Sequence, residues 1–82
     1  MTPGFRELDT VVLLRDFPEA GLKAGDLGAV VAVYVPDALE VEFVTASGRT
    51  QALLTLGMGD VRPVRDDDLL SVRPTGPVRG AA

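Results

Sequence analysis

The sequence predicts an all-β fold, a small five-stranded barrel with a flexible C-terminal tail. β-Branched residues gather in short runs, and the segments between these runs carry glycine and proline too closely spaced for a helix. The most informative stretch is 21–31, where three glycines lead into a valine-rich strand. With 82 residues the chain has room for one domain, which buries only roughly 60% of its unfolded surface.

The first strand is predicted at 10–14, after a loosely ordered lead-in at 1–8. Residues 10–14 are nearly all apolar and begin with three β-branched side chains, which is typical of a strand that is covered on both faces or bent between two sheets. Residues 15–26 contain one proline and two glycines, so they are predicted to form a long connecting loop.

The second and third strands are predicted at 27–35 and 39–44, on either side of a turn at 36–38. Apolar residues occupy both the odd and the even positions of 27–35, which predicts that both faces of this strand are covered. Apolar and acidic residues alternate along the third strand. Its predicted inward residues are Leu39, Val41 and Phe43, and its predicted solvent-facing residues are Glu40 and Glu42.

The last two strands are predicted at 50–56 and 61–64. The turn before the fourth strand offers Gly48 for a hairpin with a bulge, and the four residues between the two strands allow one tight helical turn only. Pro63 cannot donate a hydrogen bond to a neighbouring strand, so the fifth strand is predicted at a sheet edge. Five strands in this order over residues 9–64 are expected of an SH3-like barrel.

The tail begins with three aspartates at 66–68 and continues with three apolar residues at 69–72. Residues 65–73 either add an extra edge strand to the sheet or pack on a neighbouring molecule, and the first is the favoured interpretation. Residues 74–82 are rich in proline and glycine and are predicted to be disordered.

Charge and composition exclude several classes of function. The chain has 12 acidic and 8 basic residues, a net charge of −4, and no cluster of lysine or arginine of the kind that holds nucleic acid through its phosphates. The absence of cysteine excludes disulfides and thiolate metal sites and fits a reducing cytoplasm. The N-terminus lacks the pattern of a signal peptide, and no window approaches the roughly 20 apolar residues of a membrane helix. We therefore expect a cytoplasmic protein without membrane contact.

Residue types for catalysis are scarce. With no histidine and no cysteine, the chain cannot form a Ser-His-Asp or Cys-His arrangement. Glu40 and Glu42 are interpreted as a solvated pair on a strand, and residues 66–68 lack the spread of ligands and the glycine of a calcium loop. Asp26 is predicted to accept hydrogen bonds from nearby backbone amides in a turn. We expect no enzyme activity, no metal and no cofactor.

The remaining class is a protein-binding module that its acidic surface steers toward a basic partner protein. The chain has too few aromatic residues for a groove that grips proline-rich peptides. Phe17 and Tyr34 form either a small contact patch or an anchor of the long loop, and the second is favoured. Leu53 is out of phase with the inward residues of its strand, so we predict that it is exposed. The candidate partner-binding residues are Asp16, Phe17, Glu19, Tyr34, Glu40, Glu42 and Leu53.

Two alternatives stay open. The spacing from Asp9 through the glycines to Val33 is similar to the KOW pattern of ribosomal proteins and transcription elongation factors, which predicts a nucleic-acid or ribosome-associated module. The comparable loop in this chain is acidic rather than basic, however. Apolar residues at 30–35 and Leu53 offer surface for a homodimer, in which residues 69–72 pair across a two-fold axis.

Eight short blocks of the sequence lie at 7–16, 18–19, 21–22, 25–28, 41–44, 48–50, 53–56 and 60–63. Together they resemble a family of small bacterial proteins described as domain of unknown function 4926, over roughly residues 7–73. The resemblance implies a stand-alone SH3-like domain with no catalytic residues to carry over. Similar small proteins are often encoded beside short toxin-like proteins, and SH3-like barrels also serve as accessory subunits of electron-transfer and nitrile-processing enzymes. The resemblance therefore implies an antitoxin, immunity or enzyme-accessory role.

Overall fold

Five antiparallel strands form one sheet in the computed structural model of the chain, which describes residues 4–76. The strands are β1 (Thr10–Leu13), β2 (Leu27–Tyr34), β3 (Ala38–Val44), β4 (Thr50–Gly57) and β5 (Val61–Pro63). Their order in the sheet is β4-β3-β2-β1-β5, and the helices within the described residues are two short 3₁₀ turns, Pro18–Ala20 and Met58–Asp60. The predicted all-β, five-stranded fold is confirmed, and the SH3-like barrel stays the interpretation of this strand order.

The ends of the chain differ from the expected boundaries. The predicted lead-in and tail fall in part on residues 1–3 and 77–82, which lie outside the described residues. Residues 65–73 form no strand in the described part of the chain, so the extra edge strand is not formed there. Side-chain ion pairs hold this segment in its place instead, as described below. No helix among residues 4–76 is long and apolar enough to cross a membrane.

One core cluster takes residues from all five strands, which requires the sheet to curl round on itself. Leu22 joins the cluster from the β1–β2 loop and so brings this long loop onto the barrel. Burial of each such side chain contributes about 1.5–3 kcal/mol before the entropy cost of folding. The buried core residues are Val11, Leu13, Leu22, Val30, Leu39, Val41, Phe43, Leu56 and Val61.

A β-bulge at Val31 changes which residues of β2 face the core. Val30 and Ala32 pair with consecutive residues of β3, so Val31 between them has no partner on that strand. The residues that face the core are therefore even-numbered before the bulge, as Val30 is, and odd-numbered after it, as Val33 is. Val31 and Tyr34 are 37% and 47% exposed. The prediction that both faces of β2 are covered is wrong, because the bulge is what spreads its apolar residues over both parities.

The β3–β4 hairpin has the predicted glycine turn and bulge. Gly48 has a φ of 87°, a conformation that glycine adopts readily. The register of β4 against β3 shifts near the start of β4, which leaves Gln51 as the extra residue. The side-chain amide of Gln51 donates to the carbonyl oxygen of Ala20 at 3.2 Å. The bulge thus ties the β1–β2 loop to the fourth strand.

Gly28 lies where two core side chains press against the backbone of β2. A Cβ atom at this position would lie 2.6 Å from Cγ1 of Val41 and 2.8 Å from Cε2 of Phe43. Both distances are far shorter than ordinary van der Waals contacts, which for two carbon atoms lie at about 3.5–4.0 Å. The position therefore needs glycine for close approach, not for an unusual backbone angle.

We predict that Gly28→Ala lowers the free energy of unfolding by about 1–3 kcal/mol, because Val41 and Phe43 must move away from the new methyl group. For a domain of this size, each kcal/mol corresponds to roughly 4–8 °C in Tm. Thermal unfolding followed by circular dichroism measures the change.

Gly59→Ala is the matched control, since a Cβ atom at Gly59 would meet nothing within 4 Å. We expect its free energy of unfolding to stay within about 0.5 kcal/mol of wild type. Equal Tm values for wild type and Gly28→Ala would contradict the packing argument.

Candidate functional site

Four of the seven candidate residues lie together on the outward face of β2, β3 and β4. The cross-strand register places Glu42 opposite Leu53 and Glu40 opposite Thr55. Tyr34 lies on the same face, at the end of β2. We call this surface the acidic face and define it by Tyr34, Glu40, Glu42, Leu53 and Thr55.

The two glutamates point outward because their neighbours in β3 fill the core. Leu39, Val41 and Phe43 are at most 2% exposed. Successive side chains of a strand point to opposite faces, so Glu40 and Glu42 are placed on the other side. The predicted alternation of β3 is confirmed.

Each glutamate is held by a threonine of β4. Oγ1 of Thr55 donates to Oε1 of Glu40 at 2.7 Å, and Oγ1 of Thr50 donates to Oε2 of Glu42 at 2.5 Å. Both carboxylates therefore lean over β4. Glu40 and Glu42 are half-buried, so they are less solvated than the sequence predicts.

The charge of the acidic face is not neutralised within residues 4–76. Glu40 and Glu42 are the only charged residues of β2, β3 and β4. The ion pairs of the described residues all lie elsewhere and join an arginine to an aspartate. These pairs are Arg15–Asp60, Arg62–Asp68 and Arg73–Asp26.

Two exposed side chains supply contact area beside these charges. Leu53 is 54% exposed, as its phase in β4 predicts, and Tyr34 is 47% exposed. Aromatic residues such as tyrosine are enriched in surfaces that bind proteins. The structure thus brings Tyr34, Glu40, Glu42 and Leu53 onto one face.

The other three candidates lie on the β1–β2 loop. Oδ1 of Asp16 accepts a hydrogen bond from the amide of Ala24 at 2.9 Å, which closes the loop. Phe17 is half-buried and packs against the core, and Cζ of Arg15 lies 4.0 Å from its ring centroid. Glu19 is exposed in the first 3₁₀ turn. Phe17 anchors the loop on the core, as favoured from the sequence, whereas the same prediction is wrong for Tyr34, which is exposed at the end of β2. None of the three loop residues belongs to the acidic face.

Residues 64–76 are held against the sheet by two arginine–aspartate pairs, and we call this segment the strap. Nη1 and Nη2 of Arg62 donate to the carboxylate of Asp68 at 2.9 and 2.7 Å. Nε and Nη2 of Arg73 donate to the carboxylate of Asp26 at 2.8 and 2.5 Å. Each pair is bidentate, a geometry that adds orientation to the charge attraction.

One residue of β1, Val12, is buried although it lies outside the core cluster. Val12 is only 7% exposed although it points away from the core cluster. Its cross-strand neighbours are Leu27 and Arg62. Of the two expectations for this strand, coverage on both faces or a bend between two sheets, the burial of Val11, Val12 and Leu13 in a single sheet supports the first.

A groove of about 510 Å³ lies between the strap, the β1–β2 loop and the end of β3. Its charged lining residues are Asp26 and Arg73, which bind each other, so the groove offers no free charge to a ligand. Residues 4–76 contain no group of three or more histidine, cysteine, aspartate or glutamate side chains that could hold a metal ion. The acidic face is therefore the stronger candidate.

The strap pairs were not predicted from the sequence. Asp26 does accept a hydrogen bond from the amide of Lys23, at 2.8 Å, as predicted for a turn aspartate. Its pairing with Arg73, 47 residues further along the chain, carries no local signal.

The two arginine contacts of the strap lower the pKa of Asp26 and of Asp68. Burial raises the pKa of Asp26, but the hydrogen bonds from Arg73 and from a backbone amide outweigh burial and hold this pKa below its ordinary value. The hydrogen bond from Arg62 is the main cause of the lowered pKa of Asp68. Both carboxylates therefore stay ionised under mildly acidic conditions.

Comparison with known proteins matches the chain to a protein family. A family model described as "Domain of unknown function (DUF4926)" matches residues 7–63, well over half of the 82-residue chain. The match contains all five strands and ends before the strap, whereas the resemblance in the sequence extends to 73. No curated protein and no solved structure matches the chain.

We predict that Asp26→Asn makes the stability of the protein less dependent on acid. Because the pKa of Asp26 is lower in the folded state than in the unfolded state, its ionised form stabilises the fold at neutral pH, and this contribution is lost as the pH falls through the folded-state value. The variant is less stable than wild type at neutral pH, and the difference shrinks below about pH 4. Urea unfolding over this range measures it.

Asp66→Asn is the matched control, because it removes the same charge from an exposed position of the strap. We expect its unfolding curve to follow wild type at every pH. A stability difference between Asp26→Asn and wild type that stays constant down to about pH 2 would contradict the electrostatic account of the Asp26 pair.

Proposed function

Since the chain belongs to the family described as "Domain of unknown function (DUF4926)", whose description names no activity, we propose a function from its surface: a binding module that takes a basic segment of another protein on the acidic face. The observation that supports this most directly is that Glu40 and Glu42 have no ion-pair partner within residues 4–76. A lysine or arginine of a partner supplies the charge-assisted hydrogen bonds that the described chain does not.

The local geometry favours binding as well. The threonine hydrogen bonds fix the carboxylates of Glu40 and Glu42 before any partner arrives, so less side-chain entropy is lost on association. Leu53 and Tyr34 give the partner apolar and aromatic contacts beside the charges. The glutamates mainly raise the association rate and select a basic partner, whereas the apolar contacts slow dissociation.

The basic partner is a protein, and the proposal includes no reaction catalysed by this chain. A toxin-like protein or an enzyme subunit with a basic surface has the required chemistry. Three of the chain's 8 basic residues, Arg15, Arg62 and Arg73, are already paired with aspartates, which gives a nucleic-acid module less support. The cytoplasm is the proposed compartment, because a chain without cysteine needs no oxidising surroundings.

We predict that the double variant Glu40→Gln, Glu42→Gln binds a fluorescent hexalysine peptide about 3- to 30-fold more weakly than wild type at low salt. The two carboxylates lose their charge, but the glutamine side chains still accept the threonine hydrogen bonds, so Tm is nearly unchanged. Fluorescence anisotropy measures the affinity at low and at moderate salt, and the loss is expected to be smaller at moderate salt.

The matched control is Asp66→Asn, Asp67→Asn, which changes the net charge equally but on the strap. An equal loss of affinity in both double variants would show that only net charge matters and would contradict the acidic face as the site. A labelled single-stranded RNA tests the alternative function. RNA binding that falls steeply with salt would overturn the proposal in favour of a nucleic-acid module.

A further inference from the structure

The outer edge of β4 is open in a way that the opposite edge of the sheet is not. The two edge strands are β4 and β5. β5 has three residues, contains Pro63 and is followed by the strap, whereas β4 has eight residues with no charge and no proline. Natural proteins protect edge strands from further pairing by short length, charge or proline. Beyond the bulge and the loop contact at Gln51, β4 has none of these protections.

Most of this edge is free among the described residues. β4 pairs with β3 alone, and its start is close to the β1–β2 loop through the hydrogen bond of Gln51. Residues 52–57 lie beyond that contact. The amide of Gly57 donates to Oδ2 of Asp60 at 3.0 Å, so that amide is occupied. The backbone groups that residues 52–56 turn away from β3 are therefore the ones available to an added strand.

The acidic groups lean toward the same edge. Glu40 and Glu42 lie one strand in from it, and the threonine hydroxyls of β4 draw both carboxylates over that strand. The threonine bond uses one oxygen of each carboxylate, and the other oxygen accepts no hydrogen bond from residues 4–76. A strand added beside β4 would lie about 4.8 Å from it, with its outward side chains next to Leu53 and Thr55.

We propose that the basic segment of the partner binds as an added β-strand on the outer edge of β4, with two basic side chains, two residues apart, reaching Glu40 and Glu42. The inference rests on the proposed function and specifies the shape of its partner. Side chains two residues apart on one strand are about 6.6–6.8 Å apart, which matches the spacing of the two glutamates on β3. Backbone hydrogen bonds then supply affinity, and the side chains supply selectivity.

Leu53 fits this role. It stands at the edge strand on the acidic face with 54% of its surface exposed. The aliphatic part of a lysine or arginine that reaches from the added strand to β3 must cross this position. Long basic side chains commonly cover apolar surface in this way while the charged end stays in polar surroundings.

A second copy of the chain is a poorer occupant of the edge. Two β4 strands paired side by side would bring together four carboxylates, because each copy carries Glu40 and Glu42 leaning over its own β4. β2, β3 and β4 contain no lysine or arginine to offset them. Like charges at an interface disfavour association, so charge complementarity selects a basic strand instead.

The test uses an eight-residue peptide of alternating lysine and valine, and a second peptide of the same composition with its four lysines contiguous. Binding to the full chain is followed by amide hydrogen exchange and by ¹⁵N chemical shifts. We expect the alternating peptide to bind more tightly and to slow exchange at backbone amides within 52–57. The contiguous peptide is expected to leave these amides unchanged.

Two N-methylated forms of the alternating peptide separate strand pairing from charge attraction. One carries methyl groups on the lysine amides and the other on the valine amides. Since alternate amides of a strand point to opposite edges, only one form keeps binding, and the other binds about tenfold more weakly or worse. Equal affinities of the two forms would overturn the strand addition.

The outcomes distinguish this inference from the proposed function. If both peptides bind equally, depend on Glu40 and Glu42, and leave exchange at 52–57 unchanged, the acidic face stands and the added strand is overturned. If Glu40→Gln, Glu42→Gln leaves the binding of every peptide unaltered, both proposals are overturned. Protection of 52–57 that rises with protein concentration in the absence of peptide would assign the edge to a second copy and overturn the inference.

Discussion

The packing of Val41 and Phe43 against the bare backbone at Gly28 is the contact on which the rest of the structure depends. It fixes which side of β3 faces the core, and alternation then forces Glu40 and Glu42 outward. A slip of one residue would exchange the two sets and bury both carboxylates in an apolar core without partners, a strongly unfavourable arrangement. The acidic face is therefore a consequence of core packing, and it cannot move without unfolding the barrel.

Sequence reasoning works for β3 and fails for β2 for one physical reason. No extra residue interrupts the alternation of β3, so its odd-numbered residues face the core and its even-numbered residues face outward. In β2 the bulge at Val31 adds a residue without a partner. The residues that face the core are therefore even-numbered before the bulge and odd-numbered after it. Nothing in a run of valines and alanines marks that position. The exposure of Val31 and Tyr34 therefore becomes visible only once the pairing with β3 is known.

The charged contacts show a second limit. A turn aspartate such as Asp26 has a local partner, the amide of Lys23, and the sequence predicts it. The contact with Arg73 depends on where the strap passes after β5, and no periodicity describes that path. Among the three aspartates at 66–68, the structure selects Asp68 for Arg62. The acidic face is partly predictable, because alternation along β3 and β4 places Leu53, Glu40 and Glu42 outward. The threonine partners of the two glutamates become known only from the cross-strand register.

The described residues separate two kinds of charge, arginine–aspartate pairs and the two glutamates of the acidic face, which have no ion-pair partner there. Arginine–aspartate pairs fasten the loop and the strap, and such partly exposed pairs stabilise a fold modestly. Glu40 and Glu42 belong to none of these pairs, and their carboxylates lie over the edge strand β4. An uncharged strand added beside β4 would offer these carboxylates no cation. That penalty disfavours wrong partners, and a basic strand removes it. Under the proposed function, Glu40 and Glu42 on β3 both favour a basic strand at this edge and disfavour an uncharged one, although β4 itself carries no charge.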